Sequence, residues 1–258
     1  MLHFMKMEIS KLKYPHLITL LTALLFSGGI VIIRQYGYFY NYNIEVWEQS
    51  GELIALFFPF FAVVPACWLI FCDRKKGNGS SNNAGESKRK YMIAKWLVSS
   101  ISGAIITFVL SFIGLIIALY FIPDVIPHGS DYAIENYAGY YFVNHPFLYG
   151  LVLSCWRAFI GFVVATFGFV LWIYLKNIFV VFTGPFCYMM LENIILAYSD
   201  VPYFRLITSF VPSILSSNAI TTGRLLVGPL LLILLISGLF CVRIIVKRFL
   251  MKQRDSLI

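Results

Sequence analysis

Charge is what this sequence has little of. Of its 258 residues only 12% are charged, against 60% apolar and 17% aromatic. A soluble domain carries about 25% charged residues, so too few remain here to cover a water-facing surface. A disordered chain is excluded as well, because it needs low hydrophobicity. Catalytic and nucleotide-binding motifs are also missing. There is no Gly-x-x-x-x-Gly-Lys-Ser/Thr loop, which excludes ATP binding through a P-loop on this chain, and no His-Glu-x-x-His zinc motif. A Gly-x-Ser-x-Gly nucleophile elbow is absent too. Cys67, Cys72, Cys155, Cys187 and Cys241 lie in or beside apolar runs, with no Cys-x-x-Cys pair. They read as small apolar fillers rather than a disulfide framework. His128 and His145 lack a third ligand at fixed spacing, so they do not define a metal site.

What is present is apolar length. A bilayer core takes about 20 apolar residues per helix. Six runs qualify: residues 17–33, 53–72, 95–122, 147–175, 178–197 and 225–242. None shows the alternation of a β-barrel strand. The first run is followed by Arg34 and Gln35 rather than a small-x-small cleavage site, so it reads as a retained helix and not a signal peptide. The sequence therefore predicts a single all-α integral membrane domain over residues 1–258 with six transmembrane helices.

The net charge of +8 would raise the question of nucleic acid in a soluble protein. Its distribution gives another answer. Lys6, Lys11 and Lys13 precede the first span. Arg74, Lys75, Lys76, Lys88, Arg89, Lys90 and Lys95 lie between the second and third. Lys176 follows the fourth, and Arg243, Lys247, Arg248, Lys252 and Arg254 follow the sixth. The opposite side holds Arg34, Arg205 and Arg224, with Glu45, Glu48, Glu52, Asp124, Asp131, Glu135 and Asp200. By the positive-inside rule this predicts cytoplasmic N- and C-termini, a multi-pass protein in a lipid bilayer, and no nucleic-acid partner.

The intervening segments carry further expectations. In residues 1–15, Leu2, Met5, Ile9 and Leu12 fall at helical spacing beside His3, Lys6, Ser10 and Lys13. That pattern predicts an amphipathic interfacial helix ending near Pro15. It reads either as a lipid-surface anchor or as an elbow touching a cytoplasmic partner. The loop at 73–91 has a Gly/Ser/Asn-rich middle between basic clusters and reads as topology and solvation, or as a docking element. The aromatic first outer segment, with Tyr38, Tyr40 and Trp47, reads as an interfacial belt or as substrate contact. The segment at 199–223 is apolar but broken by Pro202, Pro212 and Gly223. It predicts short outer re-entrant helices, which need protein around them because free backbone cannot face lipid. Arg157 and Glu192 lie about 14 Å and about 8 Å below the outer interface at 1.5 Å per residue. An unpaired charge there is costly, so the expectation is an intramembrane ion pair, with Asn193 beside it, either structural or on a pathway. The other reading is that each snorkels outward separately.

This layout resembles the ABC-2 type permease subunits of bacterial ATP-binding-cassette exporters. The likeness rests on six spans and three local patterns. FMKMEISKLKYP is similar to the family's short amphipathic helix, through Glu8, Lys11 and Lys13. KRKYMIAKWL is similar to its basic stretch entering the third span, through Lys90, Ala94 and Lys95. FRLITSFVPSIL resembles its outer re-entrant helices. The GNGSSNNAG stretch departs from the family's short coupling helix. The resemblance implies a bacterial plasma-membrane transporter subunit and not an enzyme. It implies no cofactor on this chain, a partner ABC ATPase dimer carrying ATP and Mg, and a second permease chain, identical or related. The substrate would be hydrophobic or amphipathic, an antimicrobial peptide being one such case. ATPase docking would fall on Lys6, Glu8, Lys11, Lys13, Arg74, Lys75, Lys76, Lys88, Arg89 and Lys90, and an outer rim or gate on Tyr38, Tyr40, Phe210 and Pro212. The alternative is an ATPase-independent secondary transporter or channel.

Overall fold

The structure is a computed structural model that describes residues 1–37, 40–75, 86–125, 138–214 and 221–255; the side chains of 74–75, 86–88 and 243–255 lie outside that description. Among the described residues there is no strand. Every long apolar run forms a helix, the fold that satisfies its own backbone in lipid. In chain order the helices are α1 Leu2–Arg34, α2 Asn43–Lys75, α3 Glu86–Tyr120, α4 Gly139–Asn144, α5 Pro146–Leu175, α6 Ile178–Tyr198, α7 Leu206–Phe210 and α8 Thr222–Asp255. Six of these, all but α4 and α7, are long and apolar enough to cross a membrane.

One boundary differs from the sequence expectation. The interfacial helix does not end near Pro15: α1 runs unbroken from Leu2 to Arg34, with Pro15 buried inside it. Proline removes one backbone donor and so orphans the Lys11 carbonyl one turn back; Trp68 Nε1 donates to that carbonyl instead (3.1 Å), so the helix continues. α2 also starts ten residues before its apolar run, at Asn43.

Chain direction alternates, so the starts of α1 and α3 and the ends of α2 and α5 share one end of the bundle, the N-terminal end. α3 and α5 are the central pair. They approach closely because small residues face each other, as helix interfaces in lipid require. A Cβ on Gly103 would sit 2.5 Å from the Ala62 carbonyl oxygen and 2.6 Å from the Ala165 Cβ. At Gly161 it would sit 2.2 Å from Thr107 Oγ1. Hydroxyl contacts add to this, Ser111 to Ser154 and Ser100 to Thr166, each at 3.0 Å. Gly103→Ala is therefore expected to lower stability by about 1–3 kcal/mol through overpacking. A drop in the thermal midpoint in detergent would report it, and an unchanged midpoint would refute this packing account.

Candidate functional site

Two polar sites are built into an otherwise apolar bundle, one towards each end. The first centres on Arg157, which is fully buried on α5. Its Nε donates to the Phe210 carbonyl (2.8 Å) and its Nη1 to Ser111 Oγ (2.9 Å). The guanidinium lies between the rings of Trp47 (4.4 Å) and Phe210 (5.0 Å). Trp47 is fixed in turn by its Nε1 donating to the Ser111 carbonyl (2.9 Å). Gly51 matters here: a Cβ at this position would come within 3.0 Å of Arg157 Nη2. The carboxylate whose charge reaches Arg157 is Glu48. Glu48 is itself buried, accepting from the Tyr149 hydroxyl and bonded to Ser213.

Arg157 and Glu192 thus do not pair with each other, contrary to the expected ion pair. Depths within reach of a long side chain do not set which way two helices face. Glu192 Oε2 caps the backbone N–H of Leu206 (3.1 Å). Asn193 accepts from Arg205 Nη1 (3.0 Å), whose guanidinium also feels the Glu192 charge. Burial holds Arg205 below its ordinary pKa, and Glu192 opposes that shift.

Between them Arg157 and Glu192 hold the broken segment. After α6, the chain makes a 3-10 turn at Pro202–Phe204, the five-residue α7, and a second 3-10 turn at Pro212–Ile214. All of α7 is buried, as is Pro212. Its termini are satisfied by side chains: Glu192 at Leu206, Trp156 Nε1 at the Ser209 carbonyl (2.9 Å), and Arg157 at Phe210. Phe210 stacks on Phe58 at 4.3 Å, and Phe58 lies 15 residues into α2, about 22 Å from its start. Of the expected rim residues, Phe210 and Pro212 are therefore inside the bundle. Tyr40 is buried too, its hydroxyl donating to the Arg34 carbonyl (3.1 Å). Tyr38 lies outside the described residues, as does His128.

The second site sits at the N-terminal end, on Asp73. This carboxylate accepts from Lys11 Nζ (3.3 Å), from the Tyr91 hydroxyl (3.2 Å to each oxygen) and from Lys95 Nζ. Lys11 also pairs with Glu8. Lys95 is fully buried, donates to the Leu69 carbonyl (3.2 Å) and lies over the Trp172 ring at 4.6 Å. Two acids and two lysines thus join α1, α2, α3 and α5. This revises the docking expectation for Glu8 and Lys11, which are fully and largely buried because their acceptors and donors come from neighbouring helices. Lys6, Lys13, Arg89 and Lys90 are exposed. Lys76, and the side chains of Arg74, Lys75 and Lys88, lie outside the described residues.

Beside the Arg157 site, a half-open cavity of about 500 Å³ separates α5 from α8. Leu148, Val152, Trp156, Leu225 and Leu226 make it apolar, and Tyr149 links it to Glu48. Among the described residues no group of His, Cys, Asp or Glu is arranged to hold a metal. These features define a polytopic helical membrane protein with a buried polar core. Compared with protein families, curated proteins and solved structures, the chain matches none.

Proposed function

We propose that this chain is the membrane-spanning subunit of an ABC exporter of the bacterial plasma membrane. It moves a hydrophobic or amphipathic substrate outward, with both termini cytoplasmic, and ATP and Mg are used by a separate ATPase dimer. A second permease chain completes the unit. The observation that carries this reading is the Asp73 cluster. It fastens the N-terminal helix and the end of α2 to the central helices, so a push from a soluble motor on that face reaches α3 and α5 directly. The apolar cavity between α5 and α8 suits an amphipathic substrate. The α7 segment acts as a re-entrant outer gate, held shut by Arg157, Trp156 and Glu192.

The test is purification of the chain from its native membranes. A P-loop ATPase is expected to accompany it in near-stoichiometric amount. Arg89→Glu with Lys90→Glu, both at exposed positions, is expected to reduce that recovery at least several-fold while leaving the chain folded. A chain that purifies alone and still moves substrate without ATP would be the secondary transporter or channel instead.

A further inference from the structure

A second groove lies at the N-terminal end, between α1 and α3, with a volume of about 390 Å³. Its floor is aliphatic, made by Ile9 and Leu12 from α1 and by Val98, Ile101 and Ile105 from α3. Three polar groups interrupt it: Lys13, His16 and Ser102. Lys13 is exposed, and Lys6, also exposed, is seven residues before it and therefore on the same side of α1. His16 is different. Its Nδ1 is buried and has no hydrogen-bond partner. The enclosed nitrogen leaves Nε2 as the ring atom that can meet a group in the groove.

Along α3 the groove runs from Val98 to Ile105, seven residues or about 10 Å, within the roughly 15 Å of one leaflet's hydrocarbon. Lys13 is two residues beyond Lys11, which is held in the Asp73 cluster where the apolar run of α2 ends. The lysine is therefore at headgroup level, His16 about one turn deeper at the level of the ester linkages, and Ile101 and Ile105 among the acyl chains. A cation, then a hydrogen-bonding group, then aliphatic surface is the order in which a phospholipid presents phosphate, ester carbonyl and tail. With its hydrogen on Nε2, a neutral His16 donates to that carbonyl.

We propose that the α1–α3 groove is a binding site for one anionic phospholipid of the leaflet at the N-terminal end. The phosphate lies at Lys13, the ester oxygen meets His16, and one acyl chain runs over Val98, Ile101 and Ile105. This goes beyond the exporter reading and needs only that the helices span a bilayer. A neutral or zwitterionic lipid fits the aliphatic floor equally well but gains nothing net from Lys13, so selectivity for the anionic headgroup is the signature. Electrostatic attraction of one lysine at a membrane surface corresponds to about a five-fold preference.

The full chain is placed in nanodiscs of equimolar phosphatidylglycerol and phosphatidylcholine, then released for native mass spectrometry. One phosphatidylglycerol is expected to stay bound in preference to phosphatidylcholine. Lys13→Gln, at an exposed position that does not threaten folding, is expected to cut that preference about five-fold. Ser102→Phe, which fills the groove, is expected to remove the retained lipid of both kinds. Lys176→Gln, an exposed lysine at the same end but outside the groove, is expected to change neither. Equal retention of the two lipids, or equal loss from Lys176→Gln and Lys13→Gln, would overturn the proposal. So would a Ser102→Phe chain that keeps its lipid but loses a dimer, since the groove would then seat a second copy.

Discussion

Replacing Arg157 by leucine is expected to destabilise the folded protein by about 3–5 kcal/mol, the range for breaking a buried charge arrangement from one side. The loss has three parts. Phe210 and Ser111 lose the groups that satisfy them. Trp47 and Phe210 lose the cation between their rings. Glu48 keeps only the Tyr149 and Ser213 hydroxyls around a buried carboxylate. The third part is separable, because Glu48→Gln removes the orphaned charge. The double variant Arg157→Leu with Glu48→Gln is expected to be more stable than Arg157→Leu alone. Heating each variant in detergent and measuring the monodisperse fraction by size exclusion checks both points. A double variant no better than the single one would show that Glu48 is not coupled to Arg157. A charge swap between Arg157 and Glu192 is expected to rescue nothing, since the two have separate partners.

The second large effect is expected at Asp73. Asp73→Ala strips Lys95 of its counter-charge while leaving it buried with the Leu69 carbonyl and the Trp172 ring. Lys11 fares better, because Glu8 still holds it. A loss of about 3–5 kcal/mol follows from the uncompensated Lys95. Adding Lys95→Met is expected to recover part of it, as apolar replacement of a whole buried pair is often neutral or stabilising. The same thermal assay reads the outcome. If Asp73→Ala alone costs less than about 1 kcal/mol, the cluster does not fasten the helices as described.

The helices were legible in the sequence because a bilayer imposes length and apolarity on each crossing separately. The fourth and fifth runs match α5 and α6 within a residue at either end. What extends beyond the apolar stretch was only partly legible: residues 1–15 read as a separate interfacial helix rather than the start of α1, and the first turns of α2 carry polar residues that hydropathy counts as outside. Glu48 was missed for that reason. It precedes the second apolar run by five residues and reads as an outer acid, yet it is buried against Tyr149 from a helix 101 residues away. Glu8 and Lys11 mislead in the same direction. The family likeness assigns them to a docking face, and only Asp73, 62 residues from Lys11, turns them inward. Arg157 was recognisable as an intramembrane charge from sequence alone. Its partner was not, because depth along a helix is readable from residue count whereas rotation about the axis depends on neighbours.

The glycine contacts between α3 and its neighbours have a mechanical consequence. With Gly103 lodged against the Ala62 carbonyl and the Ala165 Cβ, and Gly161 against Thr107, no clearance remains for sliding or rotation at these crossings. α2, α3 and α5 therefore form a rigid core. α6 and α8 show most of their apolar surface to the bilayer, and each meets the rest of the protein at a close glycine contact of its own, Gly184 at Leu171 and Gly228 at Leu206. α7, tethered to α5 by Trp156 and Arg157 and to α6 by Glu192, straddles the seam between these two groups.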